Sequence, residues 1–126
     1  MPAYDAKGFD PPAAVILARV RGPSGVVRSE VPLLIDTGAD VSLLPTAVAT
    51  AVDAVVRPSG TPIRFLAGGE VLLHQADLAV EFSRYRFRGV FLLIDSTHGV
   101  VGRNVLNALA LLLDGPRQRW SLGGRR

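Results

Sequence analysis

Aliphatic and β-branched residues fall in short runs along this chain, separated by Gly, Pro and Ser. That pattern is the signature of an all-β domain. Residues 13–20 and 26–35 read as strands, and Gly22-Pro23-Ser24-Gly25 supplies the turn of a hairpin between them. Pro45 suits the first turn of a short helix running to about residue 54, because its missing N–H is not needed there. Residues 62–73 read as two strand arms joined by a flexible tip at Ala67-Gly68-Gly69. Residues 78–82 and 85–94 follow as strands, and Phe91-Leu92-Leu93-Ile94, apolar at every position, predicts burial on both faces. Residues 104–109 suit a short helix after Gly102, and 110–113 and 118–122 form a last hairpin across Asp114-Gly115-Pro116. The predicted fold class is all-β, a single closed β domain of eight or nine strands with one or two short helices. It spans residues 13–122, with a flexible N-terminal segment at 1–12 and a frayed tail at 123–126.

Composition narrows the chemistry. At 126 residues the chain is long enough for one modest core and too short for two lobes. It has no cysteine, which excludes disulfides, thiolate zinc sites and a cysteine nucleophile. His74 and His98 are its only histidines, too few for most histidine-based metal cages. No apolar run approaches the roughly 18 residues of a membrane span; residues 13–20 already contain Arg19. The first twelve residues lack the basic start and apolar stretch of a signal peptide. The expected location is therefore cytoplasmic, with no membrane partner. Net charge is +3 and mostly carried by arginine. Arg84, Arg86 and Arg88 alternate with Tyr85 and Phe87, so in a strand the arginines share one face. Such a stripe can bind nucleic acid if its aromatics stack on bases. A solvated outer face above a buried inner one is the expected reading, and no nucleic-acid partner follows from it.

The densest signal is Leu33-Leu34-Ile35-Asp36-Thr37-Gly38-Ala39-Asp40. A carboxylate directly after three aliphatic residues is costly unless the fold uses it. Ile35 is expected inside a strand, with Asp36 emerging where the strand ends. Thr37 offers a short hydroxyl at a tight junction, and Gly38 permits close approach of another backbone. Alone, Asp-Thr-Gly is also a good turn or cap sequence. Later in the chain stands Gly99-Val100-Val101-Gly102-Arg103-Asn104. Two aliphatics, a glycine and a short helix suit a strand threading beside the Asp36 loop, with Gly102 where a side chain would collide. Asp40 and Arg103 are then expected to meet as an ion pair inside the fold.

These two motifs, in this order, resemble those of the retropepsin-like (retroviral-type) aspartic proteases and their cellular and bacterial relatives. The resemblance covers most of the chain. It implies that Asp36 is a catalytic carboxylate, that Thr37 bonds across a dimer axis, and that Gly38 contacts substrate backbone. It further implies that Ala39 and Asp40 line a cleft, with Asp40 also pairing with Arg103, and that Ala67, Gly68 and Gly69 form a flap tip. Val100 and His98 would shape the pocket beside the scissile bond, and Gly102 would complete the loop crossing. Only one Asp-Thr-Gly is present, whereas the chemistry needs two carboxylates, one as base and one as acid. The implied partners are a second copy of the chain in a two-fold homodimer and an extended peptide or protein substrate. The implied activity is an aspartic endopeptidase acting on largely apolar segments, with no metal and no cofactor required.

Two departures stand out. The flap reads Arg64-Phe65-Leu66-Ala67-Gly68-Gly69-Glu70, poorer in glycine and isoleucine than the retroviral pattern and with a charge at Glu70. The C-terminal end adds a turn and a further strand bearing Trp120. The alternative reading keeps the fold without the chemistry, as a dimerisation or peptide-binding module. A third, a small nucleic-acid-binding barrel, rests on the arginine stripe and positive charge alone.

Overall fold

The computed structural model describes residues 1–64 and 68–123. Alternating burial shows how the apolar runs become strands. In β1 (Val15–Arg21) the buried Ile16, Ala18 and Val20 alternate with the exposed Leu17 and Arg19. β2 (Val27–Ile35) is exposed at its start and turns inward at Val31 and Leu33. A three-residue strand, β3 (Leu43–Pro45), is wholly buried and leads directly into α1 (Thr46–Ala51). Pro45 thus ends a strand and stands at the helix N-cap, one position earlier than the helix expected from its ring.

β4 (Arg57–Arg64) and β5 (Glu70–Phe82) form the hairpin whose tip was expected at Ala67-Gly68-Gly69. Ala67 lies outside the described residues, while Gly68 and Gly69 have φ of +94° and +81°, conformations that favour glycine. β5 is one unbroken strand of 13 residues, running through positions 74–77 between the arm expected to end at residue 73 and the strand expected at 78–82. β6 (Tyr85–Ile94) follows; Phe91 and Leu93 are buried and Leu92 and Ile94 half-buried, so one face of that run keeps contact with solvent. β7 (Gly99–Val101) and α2 (Arg103–Leu106) precede the last hairpin, β8 (Leu111–Asp114) with β9 (Arg119–Leu122).

The main sheet has seven strands in the order β1-β2-β7-β3-β6-β5-β4, and β1 also pairs with β5. This closes a barrel from which β4 extends as the free arm of the hairpin. Inside lie Ile16, Val20, Leu33, Leu44, Val52, Leu93 and Val101, with Phe82, Phe91 and Trp120 at the periphery of the same cluster. Two pairs of neighbouring strands run parallel, β2 with β7 and β3 with β6. The parallel β2–β7 pair sets Ile35 against Val101 and so brings the ends of both strands to one place.

Close backbone packing there leaves no space for side chains. A Cβ on Gly99 would lie 2.4 Å from the Leu43 carbonyl oxygen. One on Gly102 would lie 2.3 Å from the Val41 oxygen and 2.9 Å from that of Ala39. The first twelve residues, expected to be a flexible segment, are tied to the body. Trp120 N–H donates to Pro2 at 3.0 Å, Tyr4 N–H to Gln118 at 2.8 Å, and Asp5 and Ala13 exchange both backbone bonds.

Among the described residues one charged side chain is buried. Glu81 of β5 is 7 % exposed and accepts hydrogen bonds from Arg21 and Arg19 of β1 and Arg86 of β6. The Arg21 hydrogen bond is the main cause that holds its carboxyl down at about 2, from an ordinary 4.5.

Two outcomes follow from these packings. Glu81 contributes stability that is complete above about pH 4.5 and is lost as pH falls toward 2, because its folded-state value is the depressed one. Glu81→Gln should cost on the order of 1–2 kcal/mol at neutral pH and flatten the fall in melting temperature across that window; an unchanged acid profile would contradict the assignment. Gly102→Ala should cost about 2 kcal/mol or more in urea unfolding, since backbone must move to admit the methyl group. Gly115→Ala, whose Cβ meets nothing within 4 Å, should be near neutral, and equal losses at both glycines would refute the close-packing account.

Candidate active site

Asp36 is the first residue beyond β2, where the strand leaves the barrel wall. Its backbone N–H donates to the Val101 carbonyl at 3.0 Å, extending the β2–β7 ladder by one bond. Its carboxylate Oδ1 accepts the Gly38 N–H at 2.9 Å, and its carbonyl accepts the Ala39 N–H at 3.2 Å. The side chain is therefore aimed by its own loop, half-buried, while Thr37 and Gly38 beside it are exposed. The Thr37 hydroxyl has no hydrogen bond to a described residue.

α2 crosses this loop from the other side. Arg103 N–H donates to the Ala39 carbonyl at 2.8 Å, and Asn104 N–H to the Asp40 carbonyl at 3.3 Å. The Arg103 guanidinium donates to the Thr37 carbonyl at 2.6 Å and forms a salt bridge with the Asp40 carboxylate. That ion pair was expected inside the fold and instead lies at the surface, with the Asp40 side chain 82 % exposed. An exposed pair is worth at most about 1 kcal/mol. Arg103 thus acts chiefly as a clamp on the backbone at Thr37, with Asp40 setting its direction.

A bond from the buried Ser42 holds the crossing more firmly. The Ser42 hydroxyl accepts the Gly102 N–H at 2.9 Å and donates to Oδ1 of the exposed Asn104 at 2.8 Å. Ser42 is 4 % exposed and Gly102 is buried, so the bond between them is shielded from water, which would otherwise compete for it. Sequence reasoning passed over Ser42 and Asn104. The available signal was a small polar residue just before the apolar Leu43-Leu44, with an amide beside Arg103.

Residues 36–40 and 101–104 thus form one network, and Val100, half-buried in β7, adjoins it opposite Leu34. His98 is elsewhere. It precedes β7, and its ring packs edge-on against Phe9 of the N-terminal segment at 5.0 Å. Gly68 and Gly69 are exposed at the β4–β5 tip, where Glu70 is paired with Arg64 across the hairpin stem at 3.1 Å. Among the described residues no group of three or more His, Asp or Glu side chains could hold a metal ion, and no helix is long and apolar enough to cross a membrane.

No family model and no curated protein matches the sequence. Among solved structures, the chain is similar to the EIAV protease complexed with the inhibitor HBY-793. The two are 20 % identical, with a TM-score of 0.61 over 76 % of this chain and 86 % of that one. The architecture that carries Asp36 is a retropepsin-like, all-β fold.

Proposed function

We propose that this chain is an aspartic endopeptidase, active as a homodimer in which each copy contributes Asp36. The observation that carries this reading is the placement of that carboxylate. It sits at the mouth of a buried parallel strand pair, fixed by the Val101 carbonyl and the Gly38 amide, with an exposed Thr37 hydroxyl beside it. Such fixing costs ordering entropy and a partial desolvation that a surface turn has no use for.

One carboxylate is half of the chemistry. A two-fold axis beside Asp36 places a second, identical carboxylate opposite the first. Two ionised carboxylates about 3 Å apart repel by roughly 5 kcal/mol at an effective dielectric near 20. The pair therefore retains one proton between them. The ionised member accepts a proton from a water molecule lying between them and the peptide. The protonated member donates to the peptide carbonyl oxygen as the water oxygen attacks its carbon. The resulting tetrahedral species collapses with proton transfer to the leaving nitrogen. No cofactor enters the scheme. In this reading Thr37 bonds across the axis, Gly38 offers backbone to the substrate, and Ala39, Asp40 and Val100 line the cleft, while His98, packed on Phe9, takes no part. The tip at Ala67, Gly68 and Gly69 closes over an extended peptide.

Wild type and Asp36→Asn, incubated with a peptide library at about pH 4 to 7, give the direct test. Cleavage between bulky apolar residues is expected for wild type, with a loss of roughly 10²–10⁴-fold in the variant. Cleavage that survives the substitution would refute the mechanism, and tight peptide binding without cleavage by either protein would reassign the chain as a binding module. Adding excess Asp36→Asn chain to wild type should lower the rate through mixed dimers. An unchanged rate, or an active strict monomer in sedimentation, would show that one chain suffices.

A further inference from the structure

The most highly charged surface outside the Asp36 loop is the outer face of β1, β5 and β6. Strand register arranges it in rows. In one row Arg19 and Arg86 flank Glu81; in the next, Arg21 and Arg88 flank Ala79. The first row is a finished clamp. The Glu81 carboxylate accepts the Arg86 Nε–H at 2.9 Å and the Arg19 Nε–H at 3.4 Å, and Arg21 of the next row leans across to it at 3.0 Å.

The second row repeats the two arginines around a methyl group. Ala79 floors a cleft of about 310 Å³, walled by Arg21, Pro23, Gly25, Asp77 and Arg88. Arg21 spends three of its five N–H donors on Glu81 and the Gly25 carbonyl, which leaves two. Arg88 is exposed and has no hydrogen bond or ion pair with a described residue. Three arginines share the single Glu81 carboxylate, so the face keeps an excess of positive charge that Arg88 increases. Asp77 at the end of the cleft is paired with Arg57 at 3.6 Å.

We propose that this cleft binds the carboxylate side chains of an acidic peptide segment, with Arg21 and Arg88 closing over Ala79 as Arg19 and Arg86 close on Glu81. The protein itself displays which anion such a pair holds. Pro23 and the Ala79 methyl group give apolar walls for the methylenes that carry the carboxylate. Nucleic acid fits less well. Phe87 stacks on Phe82 at 5.8 Å and Tyr85 meets it tilted at 6.2 Å, both packed against the core, and so they leave bases no platform on the arginine face. Charge complementarity of this kind sets partner choice and association rate more than total affinity. The site stands independently of the catalytic reading, and its test is binding.

Fluorescence anisotropy of a fluorescein-labelled (Ala-Glu)₄ peptide with the full chain measures it. The peptide should bind at low ionic strength and weaken with salt, and (Ala-Gln)₄ should bind roughly tenfold or more weakly. Arg88→Ala, an exposed change, should weaken (Ala-Glu)₄ about tenfold, while Arg117→Ala on the last hairpin should leave it unchanged. Ala79→Glu fills the clamp with the protein's own carboxylate and should abolish binding while keeping the wild-type circular dichroism. Equal affinity for the Gln peptide, or full affinity in Arg88→Ala, would overturn the proposal. So would an oligothymidylate of matched charge binding more tightly than the peptide, which would assign the face to nucleic acid.

Discussion

The carbonyl oxygens of Val41 and Ala39 occupy the space that a side chain at residue 102 would need, and much of the molecule is arranged around that contact. Backbone meets backbone there because β7 runs parallel to β2 and then turns into α2 directly over the loop leaving β2. A parallel neighbour cannot be reached by a tight hairpin, so the chain between the two strands must travel around the barrel. Residues 36–98 make that circuit, supplying α1, the long β4–β5 hairpin and β6 before β7 returns. The position of one carboxylate thus depends on the closure of the whole sheet.

The bonds at this crossing differ in what they can hold. The Asp40–Arg103 pair is visible from outside and screened by water, whereas the buried Ser42 hydroxyl meets the Gly102 N–H away from water. A hydroxyl that both accepts and donates joins loop to helix with a single oxygen, and leaving the buried Gly102 N–H unmatched would cost about 1–3 kcal/mol. The geometry of the loop is therefore set from below by Ser42 and trimmed from above by Arg103. At the far end of β5, the same sheet holds a second polar device, the Glu81 cluster, which ties β1, β5 and β6 where the barrel closes.

Much of this was legible in residue order. The short aliphatic and β-branched runs at residues 13–20 and 85–94 located β1 and β6, and the three aliphatics before Asp36 marked the strand end from which it emerges. The motif around Gly102 predicted the crossing because only a missing side chain admits it. Other features depend on partners remote in sequence. β3 is too short for any periodicity to declare it, and exists because Leu43 and Leu44 find β6 and β7 on either side. The strands expected at 62–73 and 78–82 join in β5, because pairing with β4 on one side and β6 on the other carries the strand through residues 74–77. The exposure of Asp40 and the role of Ser42 are settled by the angle at which α2 crosses the loop, which no local pattern encodes.

The pairing of the first residues with β9 has a topological consequence. Pro2 to Tyr4 lie along one side of β9, β8 occupies the other, and among the described residues nothing covers the outer side of β8, where Leu112 and Leu113 are exposed. The terminal ribbon is consequently one-sided: it can accept an added strand along β8 alone. Trimming a handful of N-terminal residues would bare the far side of β9 as well. The ribbon would then change from a unit that stops after one addition into one that can propagate.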